Sequence, residues 1–104
     1  MPELKIQEAQ LLFKKIYANP KNYNLKILDG SILGMDEKIS FKFFKGDDKS
    51  IFEVVIDDLT FTNTTGEWNN AIIMLKNAIK KIQKEKETQK VELALNKLRQ
   101  YLSE

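Results

Sequence analysis

The sequence predicts an α+β domain of order α-β-β-β-β-α: an antiparallel meander sheet with helices packed on one face, and a long C-terminal helix extending past the sheet. Three observations carry this. Residues 38–57 read as two alternating strands about a turn, the first third has one apolar helical stripe, and residues 65–103 contain no helix breaker after Gly66. The stretch KISFKFFKGDDKSIFEVVID folds about Asp47-Asp48 so that Ile39 faces Ile56, Phe41 faces Val54 and Phe43 faces Phe52. Alternation places these residues on one face of a sheet. The same register sets Lys42 against Glu53 and Lys38 against Asp57 on the other face. A slip of one residue would lose both patterns.

Along the chain, Glu3 to Ala18 is expected as the first helix, with Ala9, Leu12, Phe13, Ile16 and Tyr17 on one stripe. Pro2 suits its first turn and Asn19-Pro20 ends it. Asn24 to Met35 reads as a hairpin about Asp29-Gly30, residues that accept the positive φ of a type I′ turn. A tight connection at Asp36-Glu37 then sets Ile32 beside Phe41 and Gly34 beside Ile39. One face collects Leu25, Ile27, Ile32 and the aromatic hairpin residues. The other mixes Lys26, Lys42 and Glu53 with Leu28, Leu33 and Val55.

After Asp57-Asp58 the apolar parity flips to Leu59 and Phe61, read as the exit of the last strand. The doublets at 47–48 and 57–58 could face a hard cation, but their spacing matches no calcium loop, and they read as a turn and a strand-end charge respectively. Thr64 and Glu67 form a capping box for the last helix. Trp68, Ile72, Leu75, Ile79 and Ile82 form its first stripe, with Lys76, Lys80 and Lys84 behind.

Past Ile82 the run KEKETQK is wholly polar, and apolar residues return at Val91, Leu95, Leu98 and Leu102 on the other side of the helix. A continuous helix from 65 to 103 would be about 57 Å long at 1.5 Å per residue. Its second stripe needs a second copy, a foreign partner, or a bend near Thr88 that returns it to its own sheet. The expected organisation is one domain, with a body at 1–87 and a helical extension at 88–104.

Of the 104 residues, 42% are hydrophobic and 31% charged, ordinary globular usage. No run is apolar enough to span a bilayer and no leader pattern is present, so a cytoplasmic location is expected. With no cysteine and no histidine, thiolate chemistry and the usual near-neutral base are excluded. No Gly-rich phosphate loop, nucleophile elbow or metal motif occurs. The chain is therefore expected not to be an enzyme, and no cofactor, metal or small-molecule substrate is inferred.

The leading functional expectation is a small protein-binding or scaffolding module of the adaptor, inhibitor, immunity, phage or plasmid accessory type. It would act as a homodimer, or with a protein partner, through Val91, Leu95, Leu98 and Leu102, with help from Leu28, Leu33 and Val55 on the mixed sheet face. The alternative is a nucleic-acid-binding protein whose Lys76, Lys80 and Lys84 contact phosphates without reading sequence. The order helix, sheet, helix resembles that of double-stranded RNA-binding domains and small dimeric nucleoid-associated proteins. The resemblance lies in element order alone. Residues Gly66-Glu67-Trp68 are acidic where such an RNA-binding domain would present lysines.

Overall fold

In a computed structural model that describes residues 2–65 and 68–104, the chain forms a helix, five antiparallel strands in one open sheet, and a long C-terminal helix. Helix α1 spans Ile6–Ala18, and a short 3-10 turn, Pro20–Tyr23, follows it. The strands are β1 (Lys26–Leu28), β2 (Ser31–Met35), β3 (Ser40–Lys45), β4 (Ser50–Ile56) and β5 (Leu59–Thr65), in sequential order across the sheet. Helix α2 runs unbroken from Trp68 to Ser103. The capping box expected from Thr64 and Glu67 involves a residue outside those described. Thr65, expected to open the last helix, instead pairs with Ser50 in the ladder.

The β3–β4 hairpin has the register its alternation predicts, with Phe41 opposite Val54, Lys42 opposite Glu53 and Phe43 opposite Phe52. Pairing stops at Ser40 and Val55, so Lys38 and Asp57 lie outside the ladder. Lys42 directs its ammonium over the Phe44 ring, 4.8 Å from the centroid, a cation–π contact along its own strand. The β1–β2 hairpin pairs Ile27 with Ile32, and Asp29 and Gly30 both have positive φ (50° and 77°), as a type I′ turn requires.

The connections on either side of the β3–β4 hairpin differ from expectation. Between β2 and β3 the register is Ile32 opposite Phe43 and Gly34 opposite Phe41, two residues from that predicted. The connection is a four-residue loop, because the Asp36 carboxylate accepts the backbone N–H groups of Lys38 and Ile39, both at 2.8 Å. A shift of two keeps every side chain on its face. It also brings Gly34 under the Phe41 ring, where an added Cβ would lie 2.3 Å from Phe41 Cζ.

The parity flip at residue 59 is not a strand exit. Asp57 and Asp58, both at positive φ (49° and 64°), make a two-residue turn that leads into β5, and Val54 faces Phe61 across the new ladder. A two-residue hairpin turn inverts parity by construction, since the numbers of residues facing each other then differ by an odd amount. At the other side of β5, residues 2–4 run along its edge: Leu4 N–H donates to the Thr62 carbonyl (2.8 Å) and Thr62 N–H to that of Pro2 (3.2 Å). This edge pairing delays α1 to Ile6, so Pro2 does not sit in a helical turn.

The core lies between one sheet face and the two helices. It contains Ala9 and Ile16 of α1, Ile32, Phe41, Phe43, Phe52 and Val54 of the sheet, and Trp68, Ala71, Ile72, Leu75 and Ile79 of α2. Phe43 and Phe52 stack at 4.2 Å with planes 2° apart, and Trp68 meets both edge-on at 5.9 and 5.2 Å. Asn63 occupies the inner position opposite Phe52 because the indole needs an acceptor. Trp68 Nε1 donates to Asn63 Oδ1 (2.9 Å), and Asn63 Nδ2 donates to the Leu4 carbonyl (2.9 Å). One amide thereby ties together the N-terminal segment, β5 and α2.

The two backbone N–H groups on Asp36 hold its carboxyl below the ordinary value for an aspartate, the Ile39 bond contributing most. A folded value below the unfolded one makes this contribution complete above the unfolded pKa, and it is lost as pH falls through the folded pKa. Chemical-shift titration should therefore place Asp36 below a free aspartate. In Asp36→Ala that acid-dependent part of the stability should vanish. An unshifted Asp36 titration would contradict the loop geometry.

Candidate interaction surface

Helix α2 has 36 residues, about 54 Å at 1.5 Å per residue. Its first half is bound to the body through the stripe from Trp68 to Ile79, and Ile82 is half-buried. From Gln83 onward every residue is exposed, and the molecule is 64 Å in its longest dimension. No bend occurs at Thr88. Its hydroxyl donates to the Lys84 carbonyl one turn back (3.0 Å), the bond a threonine makes inside a helix, so it does not cap a new one. An exposed ion pair from the 3-10 turn, Lys21 Nζ to Glu85 Oε2 at 3.8 Å, links body and helix one turn past Ile82.

On this projecting segment Val91, Leu95, Leu98 and Leu102 lie on one side, spaced four, three and four residues apart, with 54, 41, 51 and 72% of their surfaces exposed. The alternation of four- and three-residue steps is that of the seam of a coiled coil. An amphipathic helix normally buries such a stripe against a neighbour, and the body, half a helical turn away, does not reach it.

The residues expected to assist are elsewhere. Leu28, Leu33 and Val55 lie on the outer sheet face, turned away from both helices; Leu28 is 59% exposed and the other two are half-buried. Leu33 and Val55 line an open groove of about 560 Å³ with Lys26, Met35, Lys42 and Glu53. Because the stripe faces away from the sheet and this groove faces away from the helices, one flat partner surface cannot cover both.

The three lysines do not share one exposure. Lys76 is half-buried, while Lys80 and Lys84 are exposed. Their helical phase is that of the second stripe: Lys84 precedes Val91 by seven residues, two turns along the same side. Lysines and leucines therefore form one face, basic near the body and apolar beyond it. The sequence contained this phase relation, but the lysines read there as the back of the first stripe. Glu92 and Arg99 flank the apolar stripe.

Among the described residues, no group of three or more acidic side chains is placed to hold a metal ion, and no helix is long and apolar enough to cross a membrane. No family model, curated protein or solved structure matches the chain.

Proposed function

We propose that the protein is a non-enzymatic binding or scaffolding module that self-associates through the C-terminal half of α2. One observation carries this reading: a continuous helix presents a heptad-spaced apolar stripe beyond the reach of its own domain. Contiguous apolar surface of this kind marks an interaction site, and symmetric pairing is the commonest way for a soluble chain to bury it. Sedimentation equilibrium should show a concentration-dependent monomer–dimer exchange. A folded protein that stays monomeric at high micromolar concentration would overturn the reading.

The alternative, nucleic-acid binding, draws on exposed Lys80 and Lys84, to which a dimer would add a second set. Phosphate contacts alone can supply such affinity. Opposing it are the small net charge of +2 and a central segment, residues 29–67, whose formal charge is −5. Duplex DNA and RNA should show no retention at physiological salt. A clear electrophoretic shift under those conditions, lost in Lys80→Gln with Lys84→Gln, would favour the alternative.

A further inference from the structure

Resting on the reading that α2 self-associates, we propose that the partner is a second copy paired antiparallel, with Val91 of one copy opposite Leu102 of the other and Leu95 opposite Leu98. Charge sets this orientation. In a parallel pair with aligned stripes, Lys84 would face its own copy across helices about 8–10 Å apart, within about one Debye length at physiological salt, while Lys80 would meet Glu85 of the partner copy. Glu87 would also be set beside Glu92 of the partner copy, since parallel helices bring together flanking residues five apart. The Lys84–Lys84 and Glu87–Glu92 contacts are repulsive.

The antiparallel register reverses both. All four layers remain aliphatic: Val91 on Leu102, Leu95 on Leu98, and their symmetric repeats. Glu92 of each helix comes beside Arg99 of the other, giving two opposite-charge flanks. Among the described residues neither has an ion-pair partner within the chain: the residues three and four positions away are Thr88, Gln89, Leu95 and Asn96 for Glu92, and Leu95, Asn96, Leu102 and Ser103 for Arg99. Arg99 is the one arginine among 17 basic residues, and its planar fork suits a carboxylate. On the other flank, Tyr101 (72% exposed) falls across Ala94 of the partner copy, a large residue over a small one.

The two Lys84 side chains separate to opposite ends, about 37 Å apart along the axis at 1.5 Å per residue. The bodies do not collide, because each buries its own helix only up to Ile82, on the far side from the seam, with one exposed ion pair beyond it at Glu85. An overlap of about 16 residues is about 24 Å long. That places the contact at the low end of specific interfaces, below about 1,200 Å² in total. The dimer is therefore an exchanging one.

The chain has no cysteine, so single thiols report orientation directly. Leu102→Cys and Val91→Cys are treated with a short bis-maleimide, separately and mixed, beside sedimentation of the parent. The expected result is little crosslinking of either alone and a covalent dimer in the mixture joined between 91 and 102. Efficient self-crosslinking of Leu102→Cys would establish a parallel pair and overturn the proposal while leaving self-association intact. A dimeric parent with no crosslink in any arm would place the contact elsewhere, also overturning it. A monomeric parent would remove both the proposal and the reading on which it rests.

Charge variants test the same geometry without altering the seam. Glu92→Arg should weaken the dimer about fivefold at low salt, as should Arg99→Glu, and the two together should restore it. Tighter association of Glu92→Arg would instead report relief of a parallel Glu87–Glu92 clash.

Discussion

Phe43→Asp should abolish the folded state. Phe43 has no exposed surface, stacks on Phe52 at 4.2 Å, and meets the rings of Phe13, Phe41 and Trp68 at 5.9–6.1 Å. It meets both helices, α1 through Phe13 and α2 through Trp68. Removing a buried phenyl costs about 3–5 kcal/mol even when replaced by alanine. A carboxylate adds the penalty of a buried polar group with no partner, at least about 1–3 kcal/mol. Against a total stability of about 5–15 kcal/mol for a small domain, the sum removes most or all of it. The expected result is loss of the near-ultraviolet tryptophan signal and of the cooperative thermal transition. A variant that melts within a few degrees of the parent would show that Phe43 does not stand at the centre of the core. Lys42→Asp, on the opposite face of the same strand, is the control and should fold.

Why the sequence resolves some of these contacts and not others follows from what each register depends on. At β3–β4 two independent patterns, apolar pairs and the Lys42–Glu53 pair, select one alignment, and Asp29-Gly30 does the same for β1–β2 by its turn geometry. Between β2 and β3 the apolar pattern is unchanged by a two-residue shift. The choice then falls to the loop, and the carboxylate of Asp36 making two backbone hydrogen bonds favours the longer one. Strand β5 was concealed by its own composition. Asn63 stands where alternation asks for an apolar residue, for a reason that lies in Trp68, and Asp57-Asp58 is a less familiar type I′ pair than Asp-Gly. The edge pairing of residues 2–4 is made by main chain and leaves no side-chain signature. The apolar stripe of the projecting helix was legible because periodicity is local. The separation of Leu28, Leu33 and Val55 from it was not, since it depends on which side of the sheet the helix takes.

The variant Leu95→Lys with Leu98→Lys should dissociate the protein and leave the fold untouched. In the proposed register these two positions form the central layers, so the double change sets four ammonium groups into one short seam. Each must be desolvated without a counter-charge, at a cost of several kcal/mol per ion after relaxation, and the four repel one another. The affinity of a short helix pair cannot absorb this, and the dissociation constant should rise by at least about a hundredfold, which is about 2.7 kcal/mol. The monomer has no stake in either residue: both lie beyond Ile82, where no side chain is buried against the body. Thermal melts extrapolated to low concentration should therefore coincide with those of the parent, whereas at high concentration the parent alone gains stability from association. Sedimentation and concentration-dependent melting together separate the outcomes. A variant that remains dimeric would move the interface off the stripe, with the outer sheet groove around Leu33 and Val55 the next surface to alter. A variant that is monomeric but markedly less stable at low concentration would mean that Leu95 and Leu98 support their own domain, so that the stripe serves the fold before it serves a partner.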